Sequence, residues 1–117
     1  MRFSVEFYET ATGQCPIRDF LDDLKKSDPG DFAAILAGLK KLQDRQYQRP
    51  PLSKSVRDDL FELRHVGKLN TRVLYFFMKG QRMVAVHAIR NKGREIPDRD
   101  QKTALERKRD WLVRHPQ

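Results

Sequence analysis

The chain has 117 residues and a single cysteine, Cys15. One thiol closes no internal disulfide, and no Cys/His spacing of the metal-binding kind is present. A reducing, cytoplasmic setting is the expectation. Cys15 itself reads as a small residue ahead of a helix in preference to a nucleophile. No apolar run approaches the ~20 residues that a membrane span needs. The first ten residues, MRFSVEFYET, lack the apolar stretch of a signal peptide. No glycine-rich phosphate loop, serine–histidine–acid set or metal motif can be assembled. There is no internal repeat, low-complexity tract or linker, so one domain covering residues 1–117 is expected, long enough to bury a core.

Acidic residues are scarce in one region. Between Lys54 and Arg94 stand ten bases against three acids (Asp58, Asp59 and Glu62), and the whole chain carries a net charge of +8. The excess is therefore concentrated in the centre. A basic centre on a nearly neutral frame points to a polyanionic partner, nucleic acid first.

That centre also has the strongest structural signal. Leu60–Val66, Leu69–Met78 and Arg82–Ile89 are rich in Val, Leu, Phe, Tyr and Ile, and short polar links with Gly67 and Gly80 separate them. This predicts an antiparallel meander. Ahead of it, Phe3, Val5 and Phe7 alternate with polar residues over Arg2–Tyr8, as in a strand with one buried face. Pro16 suits a first helical position, and Ile17, Phe20, Leu21 and Leu24 mark a short amphipathic helix ending near Lys26. Asp28-Pro29-Gly30-Asp31 starts a second helix, with Phe32, Ile35, Leu36, Leu39 and Leu42 on one face, running to about Arg45.

Gln46–Ser55, with Pro50-Pro51, reads as irregular. A last helix, capped by Asp98 or Asp100, has only Ala104, Leu105, Trp111 and Leu112 as apolar positions. The order is β-α-α-β-β-β-α. It predicts an α+β fold in which a small antiparallel-dominated sheet carries a helical hairpin on one face and has a C-terminal helix. The other sheet face is expected to be open for binding.

Alternation places Arg72, Leu74 and Phe76 on one side of the central strand and Thr71, Val73, Tyr75 and Phe77 on the other. An arginine at a strand centre needs a partner or a ligand. For Arg64 and Arg72 an internal ion pair with Glu62 stands beside ligand contact. His87 lies in an otherwise apolar strand. It is either a satisfied core residue or, by residue type, the best general acid or base.

Leu60-Phe61-Glu62-Leu63-Arg64, then Thr71-Arg72-Val73-Leu74-Tyr75-Phe76-Phe77, then His87-Ala88-Ile89-Arg90-Asn91-Lys92 up to Pro97 resemble the RelE/ParE toxin superfamily. The nearer likeness is to its phage-derived, HigB-like branch of type II toxin–antitoxin toxins, and it covers nearly the whole chain. The resemblance implies a RelE-like fold and a metal-independent, cofactor-free, ribosome-dependent endoribonuclease that cuts mRNA and inhibits translation. It implies Arg64, Arg72, His87 and Lys92 as catalytic residues, and the basic centre offers Lys54, Arg57, Lys68, Arg90 and Arg94 as candidate RNA-binding residues. The implied partners are mRNA on the ribosome and a cognate helix-turn-helix antitoxin, with no membrane. A ParE-like gyrase inhibitor, or a non-catalytic remnant that binds nucleic acid or antitoxin, would keep the same fold.

Overall fold

The computed structural model describes residues 2–117. Its elements are β1 (Ser4–Phe7), α1 (Pro16–Ser27), α2 (Pro29–Leu42), β2 (Ser53–Arg57), β3 (Leu60–Val66), β4 (Asn70–Met78), β5 (Arg82–Asn91) and α3 (Asp98–Arg114), with a short 3-10 turn at Arg45–Tyr47. The five strands form one sheet in the order β1-β5-β4-β3-β2. β1 lies parallel to β5, and every other pairing is antiparallel. The fold is the expected α+β arrangement with a RelE-like plan.

The local signals act as the residues suggest. Asp28 accepts from the backbone N–H of Asp31 at the start of α2, and Pro29 occupies the first turn. Asp58 and Asp59, between β2 and β3, both take positive φ (48° and 60°), the backbone of a tight hairpin turn. α2 ends at Leu42 instead of reaching Arg45. Neither Asp98 nor Asp100 caps α3: Pro97 precedes the helix, and both acids sit in its first turn, where the helix dipole favours them.

Two expectations need correction. The segment read as irregular contributes β2, which pairs with β3 through Ser53↔Leu63, Lys54↔Glu62 and Ser55↔Phe61. Its sequence, SKSVR, holds one apolar residue, so the strand is made by backbone pairing at a sheet edge and not by a hydrophobic pattern. The buried hydroxyl of Ser53 also hydrogen-bonds to that of Tyr75 at 2.5 Å. Secondly, the sheet face opposite the hairpin is not left open. Ile17, Leu21 and Leu24 of α1 and Ile35, Leu39 and Leu42 of α2 pack against Leu63, Val73, Tyr75, Met83 and Ala85. Ala104 and Trp111 of α3 cover the opposite face over Leu74, Phe76, Met78, Val84 and Val86. Two cores therefore sandwich the sheet, and only the β2–β3 end of the α3 face stays uncovered by α3. Among the described residues no helix is long and apolar enough to cross a membrane.

Trp111 anchors the second core. It is buried, and its indole N–H lies 3.0 Å from the Met78 sulfur. Trp111→Ala should lower unfolding stability by about 3–5 kcal/mol, the usual loss for a buried tryptophan. Urea denaturation of the two proteins checks this.

Candidate nucleic-acid interface

At the end of the sheet left free by α3, the central strand carries Arg72. It is 0 % exposed. Its Nη1 donates to Asn91 Oδ1 at 2.7 Å, and its Nη2 donates to the carbonyls of Gly93 at 3.1 Å and Arg94 at 2.5 Å. Its Nε stands 3.4 Å from Glu62 Oε2. The alternation correctly puts Arg72 on the α3 face, but the loop after β5 folds over it. Its guanidinium is covered by that loop and engaged within the protein. It is the buried ion-pair member, and it ties the backbone that carries Lys92 and Arg94.

Glu62, 2 % exposed, completes the arrangement from β3. Lys54, its cross-strand neighbour on β2, approaches Oε1 at 3.7 Å. Arg64 lies directly opposite Arg72 in the β3–β4 pairing and is half-buried. Among the described residues it has no acidic partner, which keeps the ligand-contact reading of Arg64 open. Lys92 and Arg94 are on the loop that Arg72 ties down, and both are exposed. Lys54, Arg64 and Arg94 thus gather round Arg72 and Glu62.

The other candidates are placed differently. Arg90 points to the hairpin face, where its Nη2 donates to Asp28 Oδ2 at 2.7 Å and its Nε lies 3.2 Å from Asp31 Oδ2. It joins β5 to the start of α2, and its guanidinium is held by two carboxylates. Arg57 pairs with Asp58 at 3.1 Å and with Asp98 at 3.7 Å. Lys68 is exposed at the β3–β4 turn.

His87 owes its position to an irregularity in register. β4 pairs Leu74 with His87 but Tyr75 with Ala85, leaving Val86 as the extra residue. Such a bulge re-aims side chains, and here Val86 joins the core under α3 while His87 meets that helix too. His87 Nε2 lies 2.8 Å from Asp100 Oδ1, and its Nδ1 lies 3.0 Å from Arg107 Nη1. Arg107 is a permanent donor, so Nδ1 accepts and Nε2–H donates to Asp100. Burial is the main cause holding the pKa of His87 below its ordinary value; the Asp100 hydrogen bond opposes this and the Arg107 charge adds to it. Both nitrogens are engaged, and His87 joins β5 to α3 as the satisfied residue of the two readings. Asp100 and Arg107 had no visible link to His87, since only the packing of α3 brings them there.

A five-stranded, mostly antiparallel sheet between a helical hairpin and a C-terminal helix, with cations gathered at one end, defines a small RelE-like protein. The chain belongs to the phage-derived Gp49-like family (DUF891), a RelE-like toxin family whose profile matches residues 20–109. Among curated proteins no match was found.

Two outcomes are expected from this geometry. Arg72→Ala should cost about 3–5 kcal/mol of stability, because Glu62 is left as a buried charge without its main partner. Amide hydrogen exchange in residues 91–95 should accelerate in the same variant even where the sheet stays protected. For His87, the unfolded chain takes up a proton before the folded one does. The stability tied to neutral His87 is therefore fully present above about pH 6.5 and falls as the pH drops below it. Chemical denaturation across that range should show the fall, and His87→Gln should flatten it.

Proposed function

We propose that this protein is the toxin of a type II toxin–antitoxin pair, of HigB-like character, and that it acts in the cytoplasm as a ribosome-dependent mRNA endoribonuclease. The observation that carries this reading is the group of cations without tight acidic partners, Arg64, Lys92 and Arg94, beside Lys54 and on backbone held by Arg72. In such cleavage the 2′-hydroxyl of one nucleotide attacks the adjacent phosphate. Negative charge builds on the phosphorane oxygens, and fixed donors lower that barrier most. Arg64 offers a planar fork of donors suited to phosphate, on a strand rigid enough to hold it in place. Lys92 and Arg94 would grip neighbouring phosphates. A helix-turn-helix antitoxin would neutralise the toxin by presenting acidic or apolar residues to this end of the sheet.

A second reading has its own support. Arg72 and His87, two groups of the expected catalytic set, are engaged internally. A ParE-like inhibitor of DNA gyrase needs no acid–base constellation. Inducible expression with mapping of transcript 5′ ends separates the two. The nuclease reading expects growth arrest, loss of translation before replication, and new ends inside translated frames. Intact mRNA with collapse of gyrase-dependent supercoiling would replace it with the ParE-like reading.

A further inference from the structure

Between β2 and the segment that leads into α3 lies a cleft of about 170 Å³. Glu62 forms its floor, Lys54, Arg94 and Glu95 its rim, and Val56 and Ile96 its apolar walls. Gln101 ties one wall down by donating from its amide to the Ile96 carbonyl at 2.8 Å.

The floor is chemically unusual. A carboxylate only 2 % exposed is expected to accept hydrogen bonds. Among the described residues none is donated to Glu62. Lys54 Nζ at 3.7 Å and Arg72 Nε at 3.4 Å are ion-pair contacts. They balance its charge without filling its acceptor directions, and an ionised carboxylate has about four lone-pair sites to offer. Glu62 lines a cavity too small for a helix, with Lys54, Arg94 and Glu95 around it.

We propose that the cleft receives one unpaired guanine of an RNA strand, with Glu62 accepting from N1–H and the 2-amino group and Lys54 donating to O6. Guanine is the standard base whose Watson–Crick edge presents two adjacent N–H donors. Adenine and cytosine set one amine beside a ring lone pair, which the carboxylate would repel. Uracil sets one N–H between two carbonyls. Unpaired bases are the usual object of sequence-specific RNA recognition, read on their edges and packed by their faces. Val56 and Ile96 supply the packing, and Arg94 reaches an adjoining phosphate. The inference rests on the RNA-binding reading above and adds a base preference to it.

The test is binding of the full chain to short fluorescent single-stranded RNAs that differ at one position: guanine, inosine, which lacks the 2-amino group, or adenine. A 2′-deoxy sugar at that position blocks cleavage there. Anisotropy titration should show guanine bound about 10-fold more tightly than either substitute, within the range for a lost bidentate base contact. Glu62→Gln places an amide N–H against the base's own donors and should abolish the preference while keeping salt-sensitive binding. Melting of the variant is measured alongside. If it unfolds, NMR of the wild-type chain decides instead: guanosine monophosphate should shift the amides of Lys54, Ser55 and Gln101, and adenosine monophosphate should not. Salt-sensitive binding with equal affinity for all three RNAs overturns the guanine site and leaves the RNA reading intact. A preference that survives in folded Glu62→Gln also overturns it. Absence of RNA binding altogether overturns the RNA reading, and the guanine site with it.

Discussion

The basic end of the molecule depends on one buried guanidinium. Arg72 sits at the centre of the sheet with no exposure, and it ties the loop after β5 down onto the sheet. Three of its hydrogen bonds go to Asn91, Gly93 and Arg94, so the chain after β5 doubles back over the sheet instead of projecting into solvent. Desolvating a charge is costly unless it is paired and hydrogen-bonded. Glu62 supplies the opposite charge and the loop supplies the acceptors. The loop needs Arg72 to stay folded over, and Arg72 needs the loop and Glu62 to stay charged in the interior.

This arrangement separates cations that hold the fold from cations that remain for a partner. Arg72, Arg90 and Arg107 all act internally: Arg72 holds the loop, Arg90 joins β5 to α2, and Arg107 steadies His87 under α3. Arg82 likewise spans β5 and β1 through two hydrogen bonds to Glu6. Arg64, Lys54, Lys92 and Arg94 form a smaller set at one end of the sheet, beside backbone that Arg72 holds. Net charge alone therefore overstates the binding surface.

The two cores matter for the same reason. The helical hairpin closes one face, and α3 closes most of the other, which confines the open surface to the β2–β3 end. β2 is a short edge strand with Lys54 and Arg57 on it, a charged edge that discourages pairing with another sheet. Its cross-strand register also brings Lys54 beside Glu62 and makes one wall of the cleft.

Most of the secondary structure was legible in the sequence, because it rests on local chemistry. Alternation in β1, β3, β4 and β5, the apolar faces of α1 and α2, and the Asp28 cap are determined by residues a few positions apart. So was the sidedness of Arg72 and its possible pairing with Glu62. β2 was not legible, since one Val56 among polar residues makes no pattern and only its β3 neighbour makes it a strand. The covering of the second face was not legible either: Ala104 and Trp111 are sparse, and their strength comes from the strand residues they meet. The bulge at Val86–His87 and the closure of the 91–95 loop are decided by packing. That tertiary step turned His87 and Arg72 inward, engaged Arg90 with α2, and left Glu62 facing a cleft. Sequence determined which side of a strand each charge occupies; only the assembled structure decided which charges had already found partners, because those partners come from elements far away along the chain.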